Sequence, residues 1–343
     1  MASVDRELIE EVLGIVRTAE AHILARIAHR LRNPSGTRAW AVRKLSEMEG
    51  LRREITADLR TMNEELAAQI PGIVASAYGD GHQPAIPYAA GQPASITAIA
   101  TDLTVTTTRL APYVLRTTLD VYRQAVGAHL GNLALGVTTR RQTSQQILDD
   151  LLGAGVTGFR DKSGRAWKLD TYVEMATRTG LGNAYLEGRV DSLVNEGREL
   201  AYVIPGPTAC PSCDPWAGKI LSLTTTIPEG LPFTVSATLG QAKSSGHLFG
   251  PNCRCVLAAY QHGYSVLPKA HSDPAGYLAE QELRGLERAV RDAKRQQVVA
   301  LDGVASKARG VKVRKKQAQL RAHLEAHPQL RRQRHREQIG KAH

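Results

Sequence analysis

The sequence predicts a mainly α-helical protein: a long N-terminal helical hairpin, a small α/β module holding every cysteine, and a basic C-terminal arm, helical or extended. Three observations carry this prediction. Apolar residues recur at steps of three and four over long stretches, the period of an amphipathic helix. Aromatic residues make up only 5% of the chain, which argues against an all-β sandwich. The charge is uneven: residues 303–343 hold 12 basic and 2 acidic side chains, whereas the first 302 hold 32 and 31. The formal +11 is therefore a near-neutral body with a basic arm, and a histone-like chain that is basic throughout is excluded.

Other bounds follow from length and composition. A chain of 343 residues with 42% hydrophobic content forms two or three compact units with ordinary cores. No apolar run approaches the roughly eighteen residues needed to cross a bilayer. Asp5, Glu7, Glu10 and Glu11 make the N-terminus acidic and amphipathic, unlike a signal peptide. The expected compartment is the cytosol, where disulfides are rare.

The first region, residues 1–136, reads as helical. Val4, Leu8, Val12, Ile15, Ala19, Ile23 and Ile27 form one apolar face, which should end near Asn33-Pro34-Ser35-Gly36 because the residue before proline avoids α geometry. Periodicity resumes at Leu45 and continues through Leu51, Ile55, Leu59, Met62, Leu66 and Ile70, so the two helices should pair as an antiparallel hairpin. Residues 79–94, rich in Gly and Pro, read as a linker. A third helical region is expected from Ser95 to about Leu135, weakened by the β-branched run Thr104 to Thr108 and kinked at Pro112. His22, His29 and His129 read as packing or surface residues rather than metal ligands.

Residues 137–198 read as a helix, a small hairpin and a long helix. Thr138 and Thr139 should cap a helix with Ile147, Leu148, Leu151 and Leu152 inward. Gly153, Gly155 and Gly158 match G-x-G-x-x-G, but a helix precedes them where a dinucleotide fingerprint needs a strand, so they read as a helix stop. Asp161 to Gly164 is a turn signal between segments bearing Phe159 and Trp167. Asp170 reads as the N-cap of a helix running to about Asn195. Glu174, Arg178 and Glu187 on that helix read as structural salt-bridge partners rather than catalytic groups.

Residues 199–265 form the cysteine-rich module. Leu200 to Ile204 is a strand candidate, ended by Pro205-Gly206-Pro207. Then come Cys210-Pro-Ser-Cys213 and, further on, His247 and Cys253-Arg-Cys255. A C-x-x-C turn places two thiolates about right for two corners of a zinc tetrahedron. Cys253, Cys255 and His247 can supply the rest, so a four-thiolate site and a three-thiolate, one-imidazole site are both open. The C-x-C half needs a bent backbone, since on a strand its side chains start roughly 7 Å apart. Structural zinc in a zinc-knuckle-like module is the leading reading; packing thiols and disulfides are the others. A site closed by four protein ligands has no open position and is not catalytic. The chain also lacks G-x-S-x-G, a P-loop and H-E-x-x-H, and its only H-x-E triplets lie downstream of the cysteines. No catalytic residue is assigned.

At these residues the sequence resembles a known family. C-P-x-C-x-P-W-x-G-K-I-L-S from Cys210 to Ser222, followed by G-H-L-F-G-P-N-C-R-C from Gly246 to Cys255, resembles the head-morphogenesis module of tailed-phage minor capsid proteins, the minor capsid protein 2 and Mu F-like group. The stretch from Gly158 to Thr179 is similar to a second segment of that family. Many relatives place His where this chain has Gly250, and often His where it has Cys255. The resemblance implies a non-enzymatic virion component of the phage head, assembled in the host cytoplasm and acting near the portal vertex. Its implied partners are portal protein, major capsid or scaffold protein and packaged double-stranded DNA, with copies arranged around the portal and no membrane contact. The alternative is a toxin-like or nucleotide-modifying effector carried in the virion, or a non-specific DNA-binding protein.

Residues 266–343 comprise a helix and the basic arm. Asp273-Pro274 marks a helix start, and Arg284, Arg288, Arg291 and Arg295 form a stripe partly paired with Glu280 and Glu287 at four-residue spacing. Beyond Gly303 lie Lys307, Arg309, Lys312, Arg314, Lys315, Lys316, Arg331, Arg332, Arg334 and Arg336, with apolar residues too sparse for a core. The expectation is an arm that orders only on a partner and binds phosphate. With no aromatics after Tyr277, any nucleic-acid binding should be independent of sequence.

Overall fold

A computed structural model of the chain describes residues 6–32, 40–82, 93–135, 137–154, 157–161, 163–206, 210–246, 248–270 and 273–339. It is mainly helical, with two small sheets. Helices α1 (Arg6–Arg32), α2 (Trp40–Ser46) and α3 (Met48–Gly81) occupy the N-terminal region. Arg26 reaches Asp58 at 2.5 Å while Arg30 reaches Glu54 at 2.7 Å, an antiparallel register between α1 and α3. Ile23, Ile27, Leu51 and Ile55 are fully buried, as the apolar periodicity requires. The expected stop at Asn33-Pro34 falls outside the described residues, as does most of the linker. Its first residues differ from expectation, because α3 continues through Pro71 to Gly81.

The third helical region is two helices, α4 (Ala94–Thr108) and α5 (Ala111–Ala134). Pro112 sits in the first turn of α5, where no intrahelical N–H bond is lost, so it starts a helix instead of kinking one. The threonine run is helical all the same. Thr101, Thr104 and Thr107 donate their hydroxyls to carbonyls four residues back, which satisfies them within the helix.

Helix α6 (Arg140–Ala154) opens with a reciprocal cap. Gln142 N–H donates to Thr139 Oγ1 and Gln142 Oε1 accepts from Thr139 N–H. Strands β1 (Gly158–Arg160) and β2 (Ala166–Lys168) pair antiparallel, with Phe159 opposite Trp167. Asp161 holds their turn by accepting from Ser163 N–H, Arg165 N–H and Trp167 Nε1–H.

Helix α7 (Leu169–Asn195) leads to a four-stranded sheet of β3 (Leu200–Ile204), β4 (Ile220–Ser222), β5 (Ala237–Thr238) and β6 (Val256–Ala259), in the order β5-β4-β3-β6. Strand β3 is central and antiparallel to both neighbours, and its alternation buries Ala201 and Val203. These two residues join Leu186 and Leu193 of α7, Leu221, Leu257, and Ala242 of α8 (Leu239–Gly246) in one core.

The chain then forms α9 (Pro274–Val298) and α10 (Gly303–Ala326). Asp273 caps α9 by accepting from Gly276 N–H, and Asp302 caps α10 by accepting from Ala305 N–H. No helix among the described residues is long and apolar enough to cross a membrane. The chain divides into two compact units. One comprises Met1–Val12, Ala67–Thr107 and Val173–Glu280; the other comprises Leu13–Leu66, Thr108–Tyr172 and Gln281–His343.

Two expectations are corrected here. Asp170 is not an N-cap: it lies inside the first turn of α7, 1% exposed, and pairs with Arg291 at 2.9 Å and Arg295 at 3.0 Å. The C-terminal segment is not a loose arm either. Leu320, Leu324 and Leu330 pack on Leu283, Leu286 and Val290 of α9, so a few leucines suffice because α9 supplies the rest of the core.

Candidate metal centre and basic surface

Two loops carry the cysteines, and both abut β3. After β3, Cys210 O accepts from Cys213 N–H and Asp214 N–H, each at 3.0 Å, so the C-x-x-C segment is a tight turn running into the one-turn helix Asp214–Trp216. Gly218 N–H then donates to Val203 O at 2.9 Å. Gly218 has φ +68°, and a Cβ there would stand 2.1 Å from Pro268 O, so only glycine fits. The second loop precedes β6. Phe249 and Asn252 adopt φ of 58° and 61°, a left-handed geometry uncommon for non-glycine residues. Asn252 N–H donates to Thr179 Oγ1 at 3.2 Å, and Cys253 N–H to Gly250 O at 3.0 Å. This is the bend that the C-x-C pattern demands. Arg254, between the two cysteines, turns outward to Glu280 at 2.9 Å.

The result is a cluster of three sulfurs. The Sγ atoms of Cys213, Cys253 and Cys255 all lie within 4.8 Å of one another, and those of Cys213 and Cys253 are 3.5 Å apart. Four sulfurs about 2.3 Å from a zinc ion stand about 3.8 Å from each other, so this spacing suits three corners of a tetrahedron. All four cysteines are free thiols. Cys253 accepts from the thiols of Cys213 and Cys255, which brings its pKa down to about 3. Hydrogen bonds to Cys253 and Cys255, with burial, push Cys213 up. Cys255 is drawn down by Cys213 but driven up more by Cys253 and burial, to about 12. The three sulfurs thus crowd one buried spot, and a soft cation can take the place of the protons between them.

Of the five candidate ligands, the structure joins three. Cys210 packs against the same core, but its sulfur is not part of the close trio. His247 lies outside the described residues.

The ten basic candidates divide. Lys307, Arg314, Lys315, Arg331 and Arg334 are exposed. Lys312 donates to Gln296 Oε1 at 2.8 Å and Lys316 to Gln319 Oε1 at 3.1 Å, both neutral partners. Three arginines are engaged inside the unit. Arg309 is buried, pairs with Asp149 and donates to Gln296 O. Arg332 grips Glu337 through two bonds, at 2.5 and 2.7 Å. Arg336 is buried 3.8 Å from Glu287, and its carbonyl accepts from Arg291. Two features escaped the sequence reading. Arg321 is exposed on α10, and Glu20 and Asp170 form a buried acidic pair that meets Arg295. The apolar period of α1 hid Glu20; an acidic residue among its apolar positions was the available signal.

Comparison with known proteins gives the class, the structural proteins of phage particles. A family model described as phage minor capsid protein 2 matches residues 6–325, and the chain belongs to that family. It is also 26% identical over 176 residues to a "Structural protein" of Lactococcus phage LL-H, a match covering 50% of this chain and 46% of that relative. The aligned part thus spans about half the length of that curated relative. No solved structure matches the chain. Membership makes the protein a virion component.

Proposed function

We propose that this chain is a non-enzymatic head-morphogenesis protein that acts at the portal vertex, with its cysteine module closed by one structural zinc ion. On this reading the basic C-terminal segment contacts packaged double-stranded DNA or the portal. Major capsid or scaffold protein is the further neighbour, and several copies surround the portal. The observation that carries the reading is the sulfur trio of Cys213, Cys253 and Cys255 within a minor capsid protein 2 chain. The trio joins residues forty positions apart, so a bound ion would tie the loop after β3 to the loop before β6. Cys210 or His247 would complete the four ligands.

Elemental analysis of the purified full-length chain tests the metal. About one zinc per molecule is expected, with chelation lowering the melting temperature. A metal-free protein whose thiols all titrate freely overturns it. Cross-linking of intact virions tests the location: links to the portal ring support it, and links confined to capsid faces remote from that vertex overturn it.

A further inference from the structure

The outward face of α10 differs from its inward face in composition and in what its charges do. Arg309, Gly310, Val313, Leu320 and His323 point inward and are buried. Lys307, Arg314 and Arg321 recur every seven residues on the other side, with Lys315 beside them, and all four are exposed. Seven residues are about 10.5 Å of helix, and the slip per heptad is only about 20°, so the three form one nearly straight row. None of the four makes a hydrogen bond or ion pair with the described residues. Their charge is therefore uncompensated, unlike that of Arg309, which is spent on Asp149.

We propose that this row, Lys307, Arg314, Lys315 and Arg321, is the surface that grips the phosphate backbone of double-stranded DNA, and that Arg309, Arg332 and Arg336 hold the segment in place and touch no phosphate. The proposal rests on the reading that the C-terminal segment meets DNA, and it specifies where. Charge complementarity selects a polyanion, and the rest of the face selects DNA over an acidic protein. Beside the row stand Val304, Val311 and Ala318, exposed but with no Trp, Tyr, Phe or Met among them to serve as the aromatic anchor typical of a protein interface. Duplex DNA carries a charge every 1.7 Å or so along its axis, so a straight cation row meets phosphates in any register. Contacts to phosphate carry no sequence information, so a row that grips only the backbone binds independently of sequence.

The test is the salt dependence of binding of the full-length chain to a short random-sequence duplex. Each phosphate contact adds about 0.9 to the slope of log Kobs against log salt, so replacing all four cations by Gln should lower the slope by about 3.6. A second variant, Arg331→Gln with Arg334→Gln, should lower it by less than 1. Far-UV circular dichroism and the melting temperature are read for each variant, since exposed changes leave the fold intact. An unchanged slope in the folded four-site variant overturns the row. So does loss of binding to poly-glutamate with duplex binding retained. If the unaltered chain fails to bind duplex DNA at all, the broader reading fails, and the two failures are separately visible.

Discussion

Asp170 accepts from Arg291 across 2.9 Å with both side chains only 1% exposed. Arg295 lies 3.0 Å from the same carboxylate and 2.6 Å from Glu20, so the head of α7, the middle of α9 and α1 meet in one buried ionic group. Two charges removed from water cost several kcal/mol each, and mutual attraction only repays this when the geometry is good. Removing one member strands the others. Asp170→Asn should therefore lower unfolding free energy by about 3–5 kcal/mol, read by urea denaturation. A loss under about 1 kcal/mol would show that the group is hydrated.

The same group predicts a pH dependence. Burial works against the charged form of Asp170, but Arg295, Arg291 and Arg17 outweigh it and hold the pKa at about 2, below the ordinary 3.8. Its folded pKa is depressed, so its contribution is complete above about pH 4 and is lost as pH falls toward 2. Burial raises Glu20, with Arg295 opposing, so its contribution has the opposite sign and fades as pH rises. Denaturation midpoints should fall steeply between pH 4 and 2 in the parent, and less steeply in Asp170→Asn. Parallel curves would remove Asp170 from the account.

Helices α3 and α7 cross at two glycines. A Cβ on Gly81 would stand 2.0 Å from Tyr185 O, and one on Gly188 would stand 2.2 Å from Tyr78 O. Gly81→Ala and Gly188→Ala should each cost at least about 1–3 kcal/mol through overpacking. Gly72 and Gly127 are helical glycines with nothing within 4 Å of an added Cβ. Alanine there should stabilise by about 0.5–1 kcal/mol. Thermal melts of the four variants decide it: equal shifts in all four would mean that helix propensity alone is at work.

The fourth ligand of the metal centre is open to direct assay. Serine at Cys213, Cys253 or Cys255 should abolish zinc retention. Between Cys210→Ser and His247→Ala, the variant with the larger loss in competition with a chelator identifies the fourth corner, expected at 10-fold or more by analogy with other ligand-sphere losses. Full retention by all three trio variants would remove the trio as ligands.

Leu320 anchors the C-terminal segment. It is fully buried against Leu283 and Val290, so Leu320→Ala should cost about 2–5 kcal/mol. Deleting residues 303–343 would uncover the same leucines, so the truncated chain should melt lower than the parent. An unchanged melting temperature would restore the picture of a detachable arm.

What the sequence disclosed depended on the range of the interactions. The apolar faces of α1 and α3, the Thr139 cap, the Asp161 turn and the Asp273 helix start are all local, and each is legible in consecutive residues. Asp170 looked like a cap because a local reading cannot see arginines 121 and 125 positions further on. Glu280 also meets Arg254, and Glu287 also accepts from Gln333 N–H, partners that four-residue spacing does not disclose. The cysteine spacing announced a cluster and the bend of its second half. It could not separate Cys210 from the other three thiols, since the turn geometry alone decides which sulfurs converge.

Glu337 shows what this means for charge. It is 2% exposed on its side chain, accepts from Nε and Nη2 of Arg332, and its carbonyl accepts from Lys294. A cation clamped in that way is internal wiring; its field is largely cancelled before it reaches solvent. A count of arginines and lysines along the segment therefore overstates what an approaching polyanion feels. Among the described residues of the segment, the outward row of α10, Lys312 and Lys316 with their neutral partners, and the exposed Arg331 and Arg334 keep their charge, and that smaller number should govern how fast a partner arrives.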